Sequence, residues 1–361
     1  MKFRSIALAS ILLFGCHTIT VTQSPDSGNK PPKQPTQPAP PSSSSGFSLN
    51  FGNSPVPLGN IKAQCATNVQ YGSHKRNVFD IWLPESSEPT PLVIFVHGGG
   101  FTSGDKSKAY GRDLAIGISP KQIKFLLRNK VAFASINYRL LENEETEGVI
   151  KSLGDIKYAL QYMRHHAADM NIDAERVGLV GSSGGAGSSL WIGFSDDMAD
   201  PNNSDPVLRE STRVQACAAL ATQSTYDLMR WETDVFPNNM FSMEQIKNTP
   251  LEERLVKFYG INSYAQLESD RIKKYRKDVD MLAEITSDDP PVYIYNKREY
   301  AITKEPKKAV SDLLHSPYHT VALRKGMDEV GVRHEIFLKA EGNNPKEGQM
   351  PVDFLLRELK N

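Results

Sequence analysis

The amino-acid sequence predicts an α/β protein, a mainly parallel, doubly wound sheet with a helical insertion over one end. Three observations predict it. Short apolar runs alternate with amphipathic segments along most of the chain. Two of those runs lead straight into glycine-rich turns, His97-Gly98-Gly99-Gly100 and Gly181-Ser182-Ser183-Gly184-Gly185. Between Asp227 and Ile285 the alternation gives way to polar, charged helical text, which reads as a cap insertion.

The elements follow in order. Asn77–Leu83 reads as a strand and Leu92–Val96 as a fully buried one. Ser119-Pro120 suits a helix start, with an N-cap side chain and a proline at the first helical position, ahead of Ile123, Leu126 and Leu127. Val131–Ile136 is the next buried strand and ends at Asn137-Tyr138-Arg139. Ile156, Ala159, Leu160, Met163, Ala167 and Met170 recur at helical spacing. Val177–Val180, Val214–Leu220, Val292–Tyr295 and His334–Leu338 continue the strand series. Helices are expected around Thr320–Val330 and Pro351–Lys360. Asn296–Ser311 reads as an elongated loop.

Composition narrows the function classes. The 361 residues carry 42 Lys+Arg against 42 Asp+Glu, so no basic excess supports general nucleic-acid binding. Apolar residues at 39% suffice for a sizeable core, and no apolar run reaches the length of a membrane span. Lys2 and Arg4 precede the apolar stretch Ser5–Phe14 and then Gly15-Cys16, the order of a signal peptide over residues 1–16. Its Leu13-Phe14-Gly15-Cys16 ending resembles a bacterial lipobox, with Cys16 as the lipidated residue. Residues 17–46 are rich in Pro and Ser and read as a disordered tether. The expectation is an exported protein of a bacterial cell envelope, lipid-anchored to a membrane and facing the periplasm or exterior. Its folded body is 47–361. Cys65 and Cys217 are expected as separate buried thiols, and no metal site follows from them.

Gly181–Gly185 is a G-x-S-x-G sequence between a strand and a helix, the context that projects Ser183 above the carboxyl edge of a sheet. The glycines after His97 allow backbone N–H groups to converge on a developing oxyanion. No G-x-G-x-x-G or G-x-x-x-x-G-K pattern supports a nucleotide site instead.

Together Pro91–Phe101, Gly104-Asp105-Lys106, Asn137-Tyr138-Arg139, the turn at Ser183 and Asp289-Pro290-Pro291 resemble the α/β-hydrolase fold, in particular carboxylesterases related to hormone-sensitive lipase and feruloyl esterases. The resemblance implies that Ser183 is the nucleophile and that the N–H groups of Gly98, Gly99 and Gly184 form the oxyanion hole. His97 supports the oxyanion loop. It places the acid at Asp312, with Glu299 as second choice. It places the base in the loop after the last strand, Lys339–Lys346, yet no histidine follows His334 and Asn344 stands about where the base belongs. Of the eight histidines only His315 and His319 can approach Ser183, and a structural role at a helix start is the expectation for both. Lys346 or Glu347 is the conceivable substitute.

Two functions follow. One is a serine hydrolase of the carboxylesterase type, cleaving a small-molecule carboxylic ester through an acyl-enzyme on Ser183 without a cofactor. The alternative is a catalytically impaired homologue that binds a ligand or partner in the old cleft. Arg271, Lys273, Lys274, Arg276 and Lys277 form a basic cluster in the cap, read as a solvated face, with recognition of an acidic substrate as the alternative.

Overall fold

The computed structural model describes residues 38, 47–111, 118–237, 240, 242, 244, 250–301 and 306–360. The expected signal peptide, Cys16 and nearly all of the Pro/Ser-rich tether lie outside them.

The core is an eight-stranded sheet of order β1-β2-β4-β3-β5-β6-β7-β8. Its strands are β1 (Ala63–Gln70), β2 (Val78–Pro84), β3 (Thr90–Val96), β4 (Ala132–Ile136), β5 (Ile172–Ser182), β6 (Ala216–Leu220), β7 (Val292–Asn296) and β8 (His334–Leu338). β1 and β2 pair antiparallel, as do β2 and β4, and the rest of the sheet is parallel. β3, β4 and β6 are buried at every position, as strands covered on both faces must be. Each fully buried Val, Ile or Phe there contributes about 1.5–3 kcal/mol. β1 escapes the sequence reading because it is a half-exposed edge strand with a bulge between Ala66 and Val69.

The helices are α1 (Pro120–Arg128), α2 (Val149–His165), α3 (Gly184–Phe194), α4 (Pro250–Phe258), α5 (Asp270–Asp278), α6 (Pro306–Leu314), α7 (Pro317–Val330) and α8 (Pro351–Lys360). α4 and α5 lie in the stretch between β6 and β7 expected to be helical. The elongated loop expected over 296–311 is corrected by α6, whose backbone is helical from Pro306. A proline at the first helical position starts both α6 and α7. Cys65 and Cys217 are both free and buried, and burial pushes the Cys65 thiol up to about 11.

Candidate active site

β5 runs into α3 through Ser183, whose φ of 54° and ψ of −122° are sterically strained for a side-chain-bearing residue. The surrounding glycines make this turn possible. A Cβ on Gly181 would lie 2.1 Å from the Gly185 carbonyl oxygen, and one on Gly185 would lie 2.1 Å from that of Val96. Helix α3 can therefore rest directly on β3 and β5 only with hydrogen at both positions. The Ser183 N–H donates to the Leu220 carbonyl at 2.8 Å, which ties the turn to the end of β6.

The Ser183 hydroxyl lies 2.7 Å from Nε2 of His315. This corrects the expectation for His315, which is not confined to a helix start. It sits one residue beyond α6, and its Nδ1 lies 2.9 Å from the Ser311 carbonyl one turn back. A carbonyl only accepts, so Nδ1 carries the proton and Nε2 is left as the acceptor facing Ser183. Burial is the largest influence on His315 and lowers its pKa below the ordinary 6.5, with the charges of Arg298 and Arg254 acting the same way. The ring is therefore neutral at neutral pH, the form a general base needs.

Two residues at the sheet edge hold this segment. Asn296, the last residue of β7, donates its side-chain N–H to the His315 carbonyl at 3.0 Å. Gln223, just beyond β6, donates to the Leu314 carbonyl. His319 keeps the structural role expected of it. Its ring lies 3.0 Å from the Leu313 carbonyl and accepts from the Ser224 N–H at 3.2 Å.

The expected carboxylate is not the group at Nδ1. The Ser311 carbonyl stands there, and Asp312 reaches His315 only as the smallest of the charge influences on it, one that raises its pKa. Glu299 is corrected further, because it pairs with Lys339 at 2.9 Å on the surface. Asn344 and Lys346 are exposed in the loop after β8 and do not line the cleft; Glu347, the other conceivable substitute, is exposed there too.

The opposite wall is the loop after β3. Gly99 and Gly100 have φ of 128° and 59°, conformations that favour glycine. A Cβ on Gly98 would lie 3.0 Å from that of Ser183, so glycine there lets the loop close over the nucleophile. His97 is fully buried beneath it, and burial holds its pKa down at about 4. Its Nε2 faces Arg76 Nη2 at 3.3 Å and its Nδ1 faces the Gly98 carbonyl at 2.8 Å. A guanidinium only donates, so Nε2 accepts and Nδ1–H donates to Gly98.

Arg76 also donates to the carbonyls of Tyr138 at 2.8 Å and Gly104 at 3.0 Å, and the Tyr138 hydroxyl donates to the His97 carbonyl at 2.7 Å. Asn137 accepts from the Lys106 N–H at 2.6 Å and donates to Asp105 at 2.7 Å. The motifs around residues 97, 104 and 137 thus form one interlocked support, with Arg76 as its unforeseen centre. Arg76, Asn296 and Gln223 carry no local sequence signal, since each acts through backbone carbonyls distant along the chain.

These walls bound a cleft of about 930 Å³ lined by residues 98–105, Lys108, Ser183, Gly184, His315 and, from α4, Arg254 and Phe258. The basic cluster of α5 is not in the lining; Arg276 pairs with Asp227 at 2.8 Å and Lys273 with Glu268 at 3.3 Å.

A nucleophile on a strand–turn–helix elbow of such a sheet defines an α/β-hydrolase. Residues 79–296 match the BD-FAE family model, and the chain belongs to that esterase family. It is 27% identical over 155 residues to a probable isoprenylcysteine alpha-carbonyl methylesterase of Arabidopsis thaliana, covering 43% of this chain and 30% of the other. It is 24% identical over 236 residues to the probable carboxylic ester hydrolase LipM of Mycobacterium tuberculosis, covering 64% and 47%. The chain thus spans less than half the length of these curated relatives. Among solved structures, a truncated carbohydrate esterase from gut microbiota superposes with a TM-score of 0.59 at 19% identity, covering 84% of this chain and 98% of that one. At that identity the likeness shows the fold.

Proposed function

We propose that the protein is a carboxylic-ester hydrolase acting through an acyl-enzyme on Ser183, with His315 as general base. The single observation that carries this reading is the 2.7 Å contact between the Ser183 hydroxyl and the unprotonated Nε2 of His315. It also removes the ground for an impaired binding homologue, which rested on a missing histidine.

Ser183 Oγ attacks the ester carbonyl carbon while its proton passes to His315 Nε2. The carbonyl electrons move onto oxygen, and the N–H groups of Gly98, Gly99 and Gly184 receive that charge in a loop already ordered before reaction. The tetrahedral intermediate collapses, the C–O bond to the alcohol breaks, and His315 returns the proton to the departing oxygen. A water then repeats the sequence on the acyl-enzyme, His315 takes one of its protons, and the carboxylic acid leaves. The Ser311 carbonyl holds the ring in its working tautomer throughout, and Asp312 steadies the imidazolium through its charge.

The basic start, short apolar run and Gly15-Cys16 support an exported, lipid-anchored location for this activity. Labelling with a fluorophosphonate tests the chemistry: wild type is expected to label, and Ser183→Ala and His315→Ala are expected not to. A folded wild type that neither labels nor hydrolyses simple esters overturns the proposal.

A further inference from the structure

Two cations line the cleft, Lys108 and Arg254, and the acyl-transfer steps use neither. Arg254 comes from α4 and lines the cleft with Ser183 and His315. Its guanidinium lies against the oxyanion loop, so close that a Cβ on Gly100 would fall 2.7 Å from Nη1. The side chain is half-buried, and among the described residues no carboxylate pairs with it. Burial is the only influence on its own ionisation, and its charge reaches His315. Arg276 and Lys273 of α5 differ, because each has a carboxylate partner.

Asp105, the carboxylate in the lining, does not neutralise Arg254. It accepts from the Ser107 N–H at 2.9 Å and from Asn137 at 2.7 Å within the loop's own support. With no carboxylate among the described residues paired to it, a desolvated guanidinium is costly, and it recovers that cost when a planar anion supplies two oxygens. Its place in the lining of the cleft that also holds Ser183, rather than on the outer surface, makes such an anion part of the substrate.

We infer that Arg254 is an anion-recognition residue and that the preferred substrates are esters carrying a carboxylate a few bonds from the scissile carbonyl. This rests on the esterase reading above and specifies its substrate class. The carboxylate can belong to the acid half of the ester or to the alcohol half, and both halves border the same cleft.

Matched pairs separate these sources. Ethyl hydrogen adipate against ethyl adipamate places the anion or its neutral isostere on the acid side. 4-Acetoxybenzoate against 4-acetoxybenzamide does so on the alcohol side. In wild type the anionic member of one pair is expected to have a kcat/KM about 10- to 100-fold above its amide, as a charge-assisted contact gives. That preference should shrink with added NaCl. Arg254→Met should abolish it while leaving the amide's kcat/KM within a few-fold, and Arg254→Lys should restore part of it.

Fluorophosphonate labelling of each variant reports whether its nucleophile is intact. Absence of any anionic preference in wild type overturns the inference without needing a variant. Equal losses on both members in Arg254→Met overturn it as well, making Arg254 a support of the loop. Inertness of wild type toward all four esters overturns the esterase reading itself.

Discussion

The two walls of the cleft are built differently. On the oxyanion side, Arg76, His97, Asn137, Tyr138 and Asp105 come from four separate segments and bond to one another beneath the glycines. On the proton-transfer side, the His315 ring is held by one carbonyl of its own short helix, and its backbone by Asn296. The difference follows from what each wall does in the proposed mechanism. Dipoles that stabilise a developing charge act best when they do not reorganise. A base must serve three partners in turn: the serine, the departing alcohol and the incoming water. It therefore gains from a lighter attachment.

The sharpest break of this contrast is removal of either member of the serine–histidine pair. Ser183→Ala and His315→Ala are each expected to lower kcat about 10⁴- to 10⁶-fold, measured as initial rates on a simple ester. Adding Asn344→His to His315→Ala should restore nothing, because Asn344 is exposed outside the cleft lining.

The rigid wall should show its worth in kcat. Arg76→Met removes the donor to His97, Tyr138 and Gly104 together. It is expected to reduce kcat about 10- to 100-fold with little change in KM, the split anticipated when transition-state contacts loosen. A KM effect alone would contradict this assignment.

The lighter wall should show itself in pH dependence. His315 must be neutral to act, and its pKa is lowered below 6.5, so the acid limb of kcat/KM should fall below pH 6.5. Arg254 and Arg298 push that value down and Asp312 pushes it up. Arg254→Met should therefore move the limb toward higher pH, and Asp312→Asn toward lower pH. These displacements correspond to changes of a few-fold in rate near pH 6.

The smallest effect at neutral pH concerns stability. His97 and His319 are buried with pKa values held near 4 and near 3, whereas in the unfolded chain they titrate near 6.5. As the pH falls below 6.5 the unfolded chain binds protons first, so stability present above that value is eroded down to about pH 3. The slope approaches about 1.4 kcal/mol per pH unit for each histidine. Urea unfolding at pH 7.5 and 5.0 measures it, and His319→Gln should flatten the slope.

Much of the fold and half of the site could be read along the chain. The turn at Ser183 declares itself through glycines that close approach of strand and helix demands, and the loop after His97 through glycines with positive φ. Such constraints are local, and they leave local marks. His315 is a different case: it stands 132 residues from Ser183 and is a lone histidine before Ser316-Pro317, with the look of a helix start. Its surroundings resemble those of His319, which does serve structure, and only the direction in which α6 ends separates the two.

The sequence by itself determined the alternation of strands and helices, the strained nucleophile turn and the glycines facing it. Each arises from backbone sterics or burial among neighbours in the chain. The tertiary structure alone decided which histidine meets Ser183, that a carbonyl rather than a carboxylate orients it, and that Arg76 joins three motifs. Those contacts depend on where remote segments end in space, and a hydrogen bond to a backbone carbonyl asks nothing of the side chain that bears it.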